Sequence, residues 1–457
     1  MVTGWAPDAP DESVHPMAAH ALARRVRLAG LFADKTLVLP TGPLSVRSND
    51  TDYRFRPGSD FFYLTGCDQP DCVLLIAPGA DGPRSTLYIA PRRDQSTHEF
   101  FADDRYGELW VGRRRGVAEA AVHFAIDTAP LEYLEKDLAS CAEGEIVTLR
   151  GVDPRVDVQF PASDLDEALA VALAKLRLVK DDFEIAELQR AVDYTVLGFT
   201  DVVRALPAAQ GRGERVVEGV FNLRARVEGN DVGYGTIAAS GSHATVLHWT
   251  QNDGPVRAGD LLLLDAGVEV DTLYTADVTR TLPVSGRFSP AQRRVYELVL
   301  AAQEAGIAAV RPGVSFYAAQ EAAFGVLAAG LVELGLLAEA PSPDGDPSRQ
   351  MHKRYSLHGV SHWLGLDVHD CAAARDERHQ GVLAEGHVLT VEPGLYFQPH
   401  DLTVPEEYRG IGVRIEDDVL VTADGARNLS AGLPRAADDV EAWIADVWSR
   451  GTTDLGL

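Results

Sequence analysis

The sequence has 457 residues, 46% hydrophobic and 24% charged, the balance of a folded protein long enough for two domains of about 100–200 residues. Lysine and arginine number 42 against 68 aspartate and glutamate, a formal net charge of -26. A surface that acidic repels phosphate backbones and anionic lipid headgroups, and the single basic run, Arg113-Arg114-Arg115, does not outweigh it.

In chain order, the spacing predicts a helix over residues 15–32. Short apolar runs at 37–39, 73–76 and 87–89 read as strands, the last two separated by the turn-rich stretch 78–83. A second helix is expected over 116–124, which makes an α/β domain of the front of the chain. From residue 165 the character changes. A helix is expected over 181–206, with Asp181 as N-cap and Glu184 completing a capping box, apolar residues Ile185, Leu188, Val192, Phe199 and Val202 on one face, and Pro207 as its stop. A second amphipathic helix, 214–227, ends at Gly229, and strands follow at 261–264 and 274–282.

The same order of elements then recurs. Ser289-Pro290 opens a helix that runs to Pro312-Gly313, and another covers 317–337. A Pro-, Asp-, Gly- and Ser-rich loop (341–349) leads to strands at 388–391 and 411–421. Two similar halves closing on one central site are the expectation, with the domain boundary between residues 160 and 180. We take the domains as 1–175 and 176–457, and the fold class as α/β (α+β).

No run approaches the roughly 18–20 apolar residues of a membrane span. Asp8, Asp11 and Glu12 stand where a secretory leader would carry positive charge. The four cysteines, Cys67, Cys72, Cys141 and Cys371, form no CxxC pair and read as reduced thiols. The expected location is the cytoplasm.

Five side chains sit in contexts that carry chemistry. Asp265 closes the apolar run Leu-Leu-Leu-Leu-Asp-Ala-Gly, Asp277 lies in the β-branched run Ala-Asp-Val-Thr-Arg-Thr, and Glu392 ends Val-Leu-Thr-Val-Glu-Pro-Gly. Glu416 lies in Gly-Val-Arg-Ile-Glu-Asp-Asp, with Arg414 on the same strand face. His362 lies in His-Gly-Val-Ser-His-Trp-Leu-Gly-Leu-Asp-Val-His-Asp. Carboxylates in apolar runs are costly unless paired or bound to a cation, and several together repel. A divalent metal pair is the natural compensation. Four carboxylates and one imidazole form a hard, oxygen-rich set suited to Mn²⁺, with Co²⁺, Fe²⁺ or Zn²⁺ as alternatives.

These segments closely resemble the aminopeptidase P family, which belongs to the metallopeptidases of pita-bread fold together with prolidase, methionine aminopeptidase and creatinase. The front of the chain resembles it too, through Arg-Pro-Gly-Ser-Asp-Phe-Phe-Tyr-Leu-Thr-Gly (56–66) and Leu-Trp-Val-Gly-Arg-Arg (109–114). The resemblance covers residues 20–440. It implies an N-terminal creatinase/prolidase-like domain, a pita-bread catalytic domain with pseudo-twofold halves, and two metal ions. Asp277 and Glu416 would bridge the ions, Asp265 would hold one, and His362 and Glu392 the other. The twelve residues from Asp265 to Asp277 are one more than the family pattern, which a one-residue insertion in the turn at 270–273 would absorb. Asp271 is the competing candidate but lacks the Val-Thr-Arg context that follows Asp277.

The implied reaction removes the N-terminal residue from peptides with proline second. Two ions about 3.5–4 Å apart share a water and lower its pKa enough to supply hydroxide near neutral pH. Glu392 would handle the nucleophile's proton. His369 would hydrogen-bond the tetrahedral oxygen, His358 and His248 would line the substrate side, and Arg414 would orient a ligating carboxylate. Tyr396 and Trp110 complete the expected substrate contacts. Trp110 would serve as an aromatic face reaching a neighbouring subunit's site in a homo-oligomer, dimer or tetramer, or else as a core or interface tryptophan. His352 and His379 read as surface residues. Prolidase, which cleaves only dipeptides, is the alternative activity; a catalytically silent pita-bread peptide-binding module would lack the ligand set. The expected partners are Xaa-Pro peptides, with no nucleic acid and no membrane.

Overall fold

A computed structural model describes residues 3–6, 9, 13–140, 145–338 and 351–453. Asp8, Asp11, Glu12, Cys141 and the loop 341–349 lie outside the described residues. The chain divides into two compact units, residues 1–177 and 178–457. None of the described helices is long and apolar enough to cross a membrane.

The first unit is built on a five-stranded mixed sheet. Its strands are β1 (Thr36–Pro40), β2 (Val73–Ala77), β3 (Arg84–Ile89), β4 (Asp127–Pro130) and β5 (Ile146–Thr148), in the order β4-β3-β2-β1-β5. β1, β2 and β3 pair antiparallel, while β4 and β5 add parallel at the two edges. Parallel edges need crossover connections, and the helices Val117–Phe124 and Leu134–Ser140 lie between these strands in sequence. On one face Val38, Val73, Leu75 and Tyr88 pack with Leu134 and Leu138. Helix α1 (Ala18–Leu31) buries two arginines, Arg24 and Arg25. They donate to the Tyr63 and Leu64 carbonyls at 3.1 and 2.7 Å, satisfying acceptors that the helix Ser59–Thr65 leaves open at its C-terminus.

The second unit repeats a pattern of two helices followed by antiparallel strands. In its first half α2 (Asp182–Ala209) and α3 (Glu214–Glu228) precede β6 (Ile237–Ser240), β7 (Leu261–Ala266) and β8 (Val278–Pro283), in sheet order β8-β7-β6. In its second half α4 (Pro290–Ala309) and α5 (Ala318–Glu333) precede β9 (Val388–Val391), β10 (Gly394–Tyr396), β11 (Gly412–Arg414), β12 (Asp417–Val421) and β13 (Ala426–Asn428). β9, β12 and β13 form one sheet with β12 central, and β10 pairs with β11. Each helix pair packs through a glycine. A Cβ at Gly198 would meet the Phe221 ring at 2.6 Å, and one at Gly330 would meet Leu298 at 2.2 Å.

The expected capping box forms at Asp181/Glu184, and the expected N-cap at Ser289 also forms, as part of a second capping box with Gln292. Pro207 does not stop its helix, which continues to Ala209. A proline there leaves the Val203 carbonyl without its helical donor, and the Trp448 indole N–H donates to that carbonyl at 2.7 Å. Pairing from a distant helix thus offsets the local cost. The helix from Pro290 ends at Ala309, earlier than Pro312 suggests, and the next one at Glu333. The expected strand 274–282 starts only at Val278, and the run 411–421 is two strands broken at Ile415-Glu416.

Candidate active site

The second unit contains a cavity of about 810 Å³ lined by Asp265, Asp277, His362, Glu392 and Glu416, and also by Tyr234, His248, His358, His369 and Arg414. The acidic residues reach it because strands break or end there. Asp265 is the penultimate residue of β7, Asp277 precedes β8, Glu392 follows β9, and Glu416 sits in the break between β11 and β12. The turn before Asp277 is tight, with Leu273 at φ +65° and its N–H donating to Val270 at 2.8 Å. β8 then runs beside that break: the Glu416 N–H donates to the Thr279 carbonyl at 3.1 Å, and the Thr281 hydroxyl to the Arg414 carbonyl at 2.9 Å.

Asp277, His362 and Glu416 each present a ligand atom within 4.8 Å of the other two. His362 Nε2 lies 3.2 Å from Asp277 Oδ2 and 3.6 Å from Glu392 Oε1. The Tyr234 hydroxyl joins Asp265 to Asp277, at 2.6 Å from the one and 2.5 Å from the other. Arg414 pairs with Asp265 and donates to the Tyr396 hydroxyl at 3.0 Å. The Thr279 hydroxyl donates to Glu416 Oε2 at 2.6 Å.

The electrostatics of this cluster are those of a site short of positive charge. Burial, then the charges of Asp277, Glu392 and Asp265, push Glu416 well above the carboxylate range. Burial raises Asp265, against the pull of Arg414. Burial raises Glu392 to about 7, against the pull of His362 and Arg414. For His362 burial opposes protonation, but the hydrogen bond to Asp277 and the charge of Glu392 outweigh it and raise it to about 9. Groups so arranged hold protons where a divalent cation would otherwise sit. The hard oxygen donors with one imidazole fit such a cation.

The remaining imidazoles flank the cluster. His369 is exposed and its ring lies 4.4 Å from that of His362, edge to face. The partial burial of the His369 ring, then the charge of His362, lower its pKa. His358 Nε2 lies 2.7 Å from the Tyr396 hydroxyl, and its Nδ1 2.8 Å from the Gly359 carbonyl and 3.5 Å from Glu392. His248 is exposed on the loop between β6 and β7 and lines the cavity.

Trp110 belongs to the first unit, on the short helix Glu108–Val111; it is 58% exposed and its indole N–H donates to the Phe101 carbonyl at 3.0 Å. Asp271, the competing candidate, is exposed and ion-paired with Arg190, and does not line the cavity. His379 is exposed, at the cavity's edge. His352 is not a surface residue: it is 6% exposed, with its ring 5.2 Å from Phe324. A basic Met-His-Lys-Arg run gives no hint that its one imidazole turns inward.

Three residues of the site escape sequence reasoning. Tyr234 stands in a Gly-Tyr-Gly stretch with no apolar pattern to flag it. Thr279 is one β-branched strand residue among several. Arg280, wholly buried, pairs with Asp417 at 2.7 Å and donates to the Glu416 carbonyl at 2.6 Å, fixing the backbone that carries Glu416. An arginine inside the β-branched run Asp-Val-Thr-Arg-Thr is the one sequence-level sign of that last role.

A cluster of carboxylates around one imidazole in one cavity, flanked by further histidines, defines a metal-dependent hydrolase. The profile of metallopeptidase family M24 matches residues 186–423, and that of the aminopeptidase P N-terminal domain residues 21–148. The chain is 53% identical over 458 residues to Xaa-Pro aminopeptidase 1 of Streptomyces coelicolor, covering 97% of this chain and 91% of that one. Its fold matches an aminopeptidase of Pseudomonas aeruginosa with a TM-score of 0.84 at 32% identity, over 95% of this chain and 100% of that one. It also matches aminopeptidase P of Escherichia coli in complex with the inhibitor Pro-Leu, with a TM-score of 0.83 at 31% identity and the same coverage. The chain belongs to metallopeptidase family M24 and, within it, to the Xaa-Pro aminopeptidases. It is a hydrolase of N-terminal aminopeptidase P domain and pita-bread catalytic domain, dependent on divalent metal.

Proposed function

We propose that this enzyme removes the N-terminal residue from peptides whose second residue is proline, with two divalent ions, Mn²⁺ first among them. The observation that carries the reading is the convergence of Asp265, Asp277, His362, Glu392 and Glu416 on one cavity beside His248, His358 and His369. Asp277 and Glu416 would bridge the ions, Asp265 would hold one, and His362 and Glu392 the other. When bound, such ions supply a water acidic enough to be a nucleophile near neutral pH.

The chain's own groups do the rest. Glu392 takes the proton of the attacking water and returns it to the proline nitrogen as the amide bond breaks. His369 donates to the carbonyl oxygen as negative charge develops on it. His248 and His358 line the substrate side, and Tyr396 is held for it between His358 and Arg414. Arg414 orients Asp265 through their ion pair. Cleavage of dipeptides alone, the prolidase reaction, is not favoured, since the relatives matched over nearly the whole chain are Xaa-Pro aminopeptidases.

In the same reading residues 1–175 are the N-terminal domain and 176–457 the catalytic domain. The exposed Trp110 offers its aromatic face to a neighbouring copy in a homo-oligomer. The unbridged thiols of Cys67 and Cys72 suit a cytoplasmic location.

The test is a mass-spectrometric digest after chelation and Mn²⁺ reconstitution, with an Xaa-Pro-Yaa tripeptide and an Xaa-Pro dipeptide in one tube. Release of the first residue from the tripeptide is expected. Cleavage of the dipeptide alone would make the enzyme a prolidase, and cleavage of neither, with metal bound, would overturn the substrate class.

A further inference from the structure

Glu214 is the first residue of α3 and is wholly buried, yet it touches none of the site residues described above. Its two carboxylate oxygens accept four hydrogen bonds. Oε1 takes the Ser240 N–H at 2.7 Å and His243 Nδ1 at 2.9 Å; Oε2 takes the Trp249 indole N–H at 2.8 Å and the Gly254 N–H at 2.7 Å. All four donors belong to one segment, residues 240–254. The backbone closes the clamp from the other side, as the Glu214 N–H donates to the Gly254 carbonyl at 2.9 Å.

A second buried residue holds the same segment. Asn252 accepts from the Ala238 N–H and donates to the Thr236 carbonyl, both at 2.9 Å. Packing leaves little slack at these feet. The His243 and Trp249 rings stack at 3.9 Å. A Cβ at Gly254 would lie 2.3 Å from the His243 ring, and one at Gly213, where φ is +92°, would lie 2.5 Å from the Gly254 carbonyl oxygen. Between the feet, Leu247, His248 and Thr250 line the cavity.

We propose that Glu214 is a positioning residue for the substrate-facing wall, locking segment 240–254 so that His248 meets the peptide in one orientation. The role rests on the aminopeptidase reading. Its chemistry is specific to a carboxylate: four N–H groups converge on two oxygens, and only an acceptor without a proton satisfies all four. Glutamine in its place must turn an NH₂ toward one donor pair, leaving buried N–H groups without partners.

The test compares the full-length Mn²⁺-loaded wild type with E214Q, H248A and the double variant, on an Xaa-Pro-Yaa tripeptide, with Mn content and hydrogen exchange measured on each. E214Q is expected to raise KM by about tenfold at wild-type Mn content, with the double variant no worse than H248A, because residues acting as one unit lose their effect together. Exchange should quicken in 241–254 and stay unchanged in 261–283. Additive losses, or unchanged exchange in 241–254, would overturn the proposal. If E214Q does not fold, W249F removes one of the four donors and should show the same changes in smaller measure; a W249F protein indistinguishable from wild type would refute the clamp. Should the wild type leave tripeptides intact, the activity reading fails by itself, and the exchange comparison still decides whether Glu214 locks the segment.

Discussion

The His358 Nε2 lies 2.7 Å from the Tyr396 hydroxyl, and the partners around this contact fix its direction. Arg414 is always a donor, so at 3.0 Å it gives the Tyr396 oxygen a hydrogen. The tyrosine's own hydrogen is then free to go to His358 Nε2, while Nδ1–H points to the Gly359 carbonyl at 2.8 Å. Burial, then the charge of Arg414, lower the His358 pKa to about 4, in keeping with a neutral ring. The expected ¹⁵N spectrum at pH 7 shows His358, assigned by its loss in H358Q, as the neutral Nδ1–H tautomer. An imidazolium there would contradict the network. Y396F removes the bridge between His358 and Arg414, and kcat/KM on an Xaa-Pro-Yaa tripeptide should fall by about tenfold.

Metal binding to the chelated protein should release protons. Without a cation, Glu392 titrates at about 7 and Asp265 and Glu416 are raised, burial being the first cause for all three. His362, raised to about 9, carries a proton as well at pH 7. Ligation requires the unprotonated forms, so protons leave as Mn²⁺ enters and affinity grows with pH. Calorimetry at pH 6.5 in two buffers of different ionisation enthalpy should return a net release. The number released should shrink as pH rises through 7 and Glu392 is already ionised. No release at pH 6.5 would mean that these groups are not the ligands.

What could be read from the sequence divides by the range of the interactions. The capping box at Asp181, the Ser289-Pro290 helix start, the buried run that becomes β7, and the doubled order of helices and strands are local patterns. The structure has them within a few residues of where periodicity puts them. Four acidic positions stand out because each ends or interrupts an apolar or β-branched run, His362 stands out through the motif around it, and folding brings all five to one cavity. Tyr234, Arg280 and Glu214 escape notice because the acidic partners of the first two are 31 to 137 residues away and the donors to Glu214 are spread over a loop. A glutamate opening a helix reads as an ordinary first-turn acid. Nothing in its surroundings announces four converging donors. Pro207 misled for the same reason, since the group that tolerates it is Trp448.

The choice between Asp271 and Asp277 is testable by paired substitution. Asp271 is 74% exposed at its side chain and its partner is Arg190 on the surface of α2. D271N should leave kcat/KM within about twofold, an exposed ion pair being worth at most about 1 kcal/mol. D277N removes an oxygen from the centre of the ligand cluster and should abolish stoichiometric Mn²⁺ binding in equilibrium dialysis. The reverse pattern would move the ligand assignment, and the register of the turn at 270–274, by six residues.

Acid stability should be governed in part by a histidine outside the active site. His387 is 6% exposed, with its ring 5.0 Å from Trp363 and its Nδ1 accepting from the Ala384 N–H at 3.2 Å. Burial, then the nearby Lys180, lower its pKa to about 4, against about 6.5 in an unfolded chain. The unfolded state therefore binds a proton at a higher pH than the folded state does. The contribution of the neutral ring is fully present above about pH 6.5 and is lost as pH falls toward 4. Lys180 forms a buried ion pair with Asp370 at 3.5 Å, so protonating His387 also sets a second cation beside the first. H387Q cannot take up that proton. Its denaturation midpoint in urea should sit below wild type at pH 7.5, with the gap narrowing as the pH is lowered to 5. A gap that stays constant over that range would show that His387 is not the group whose titration destabilises the fold.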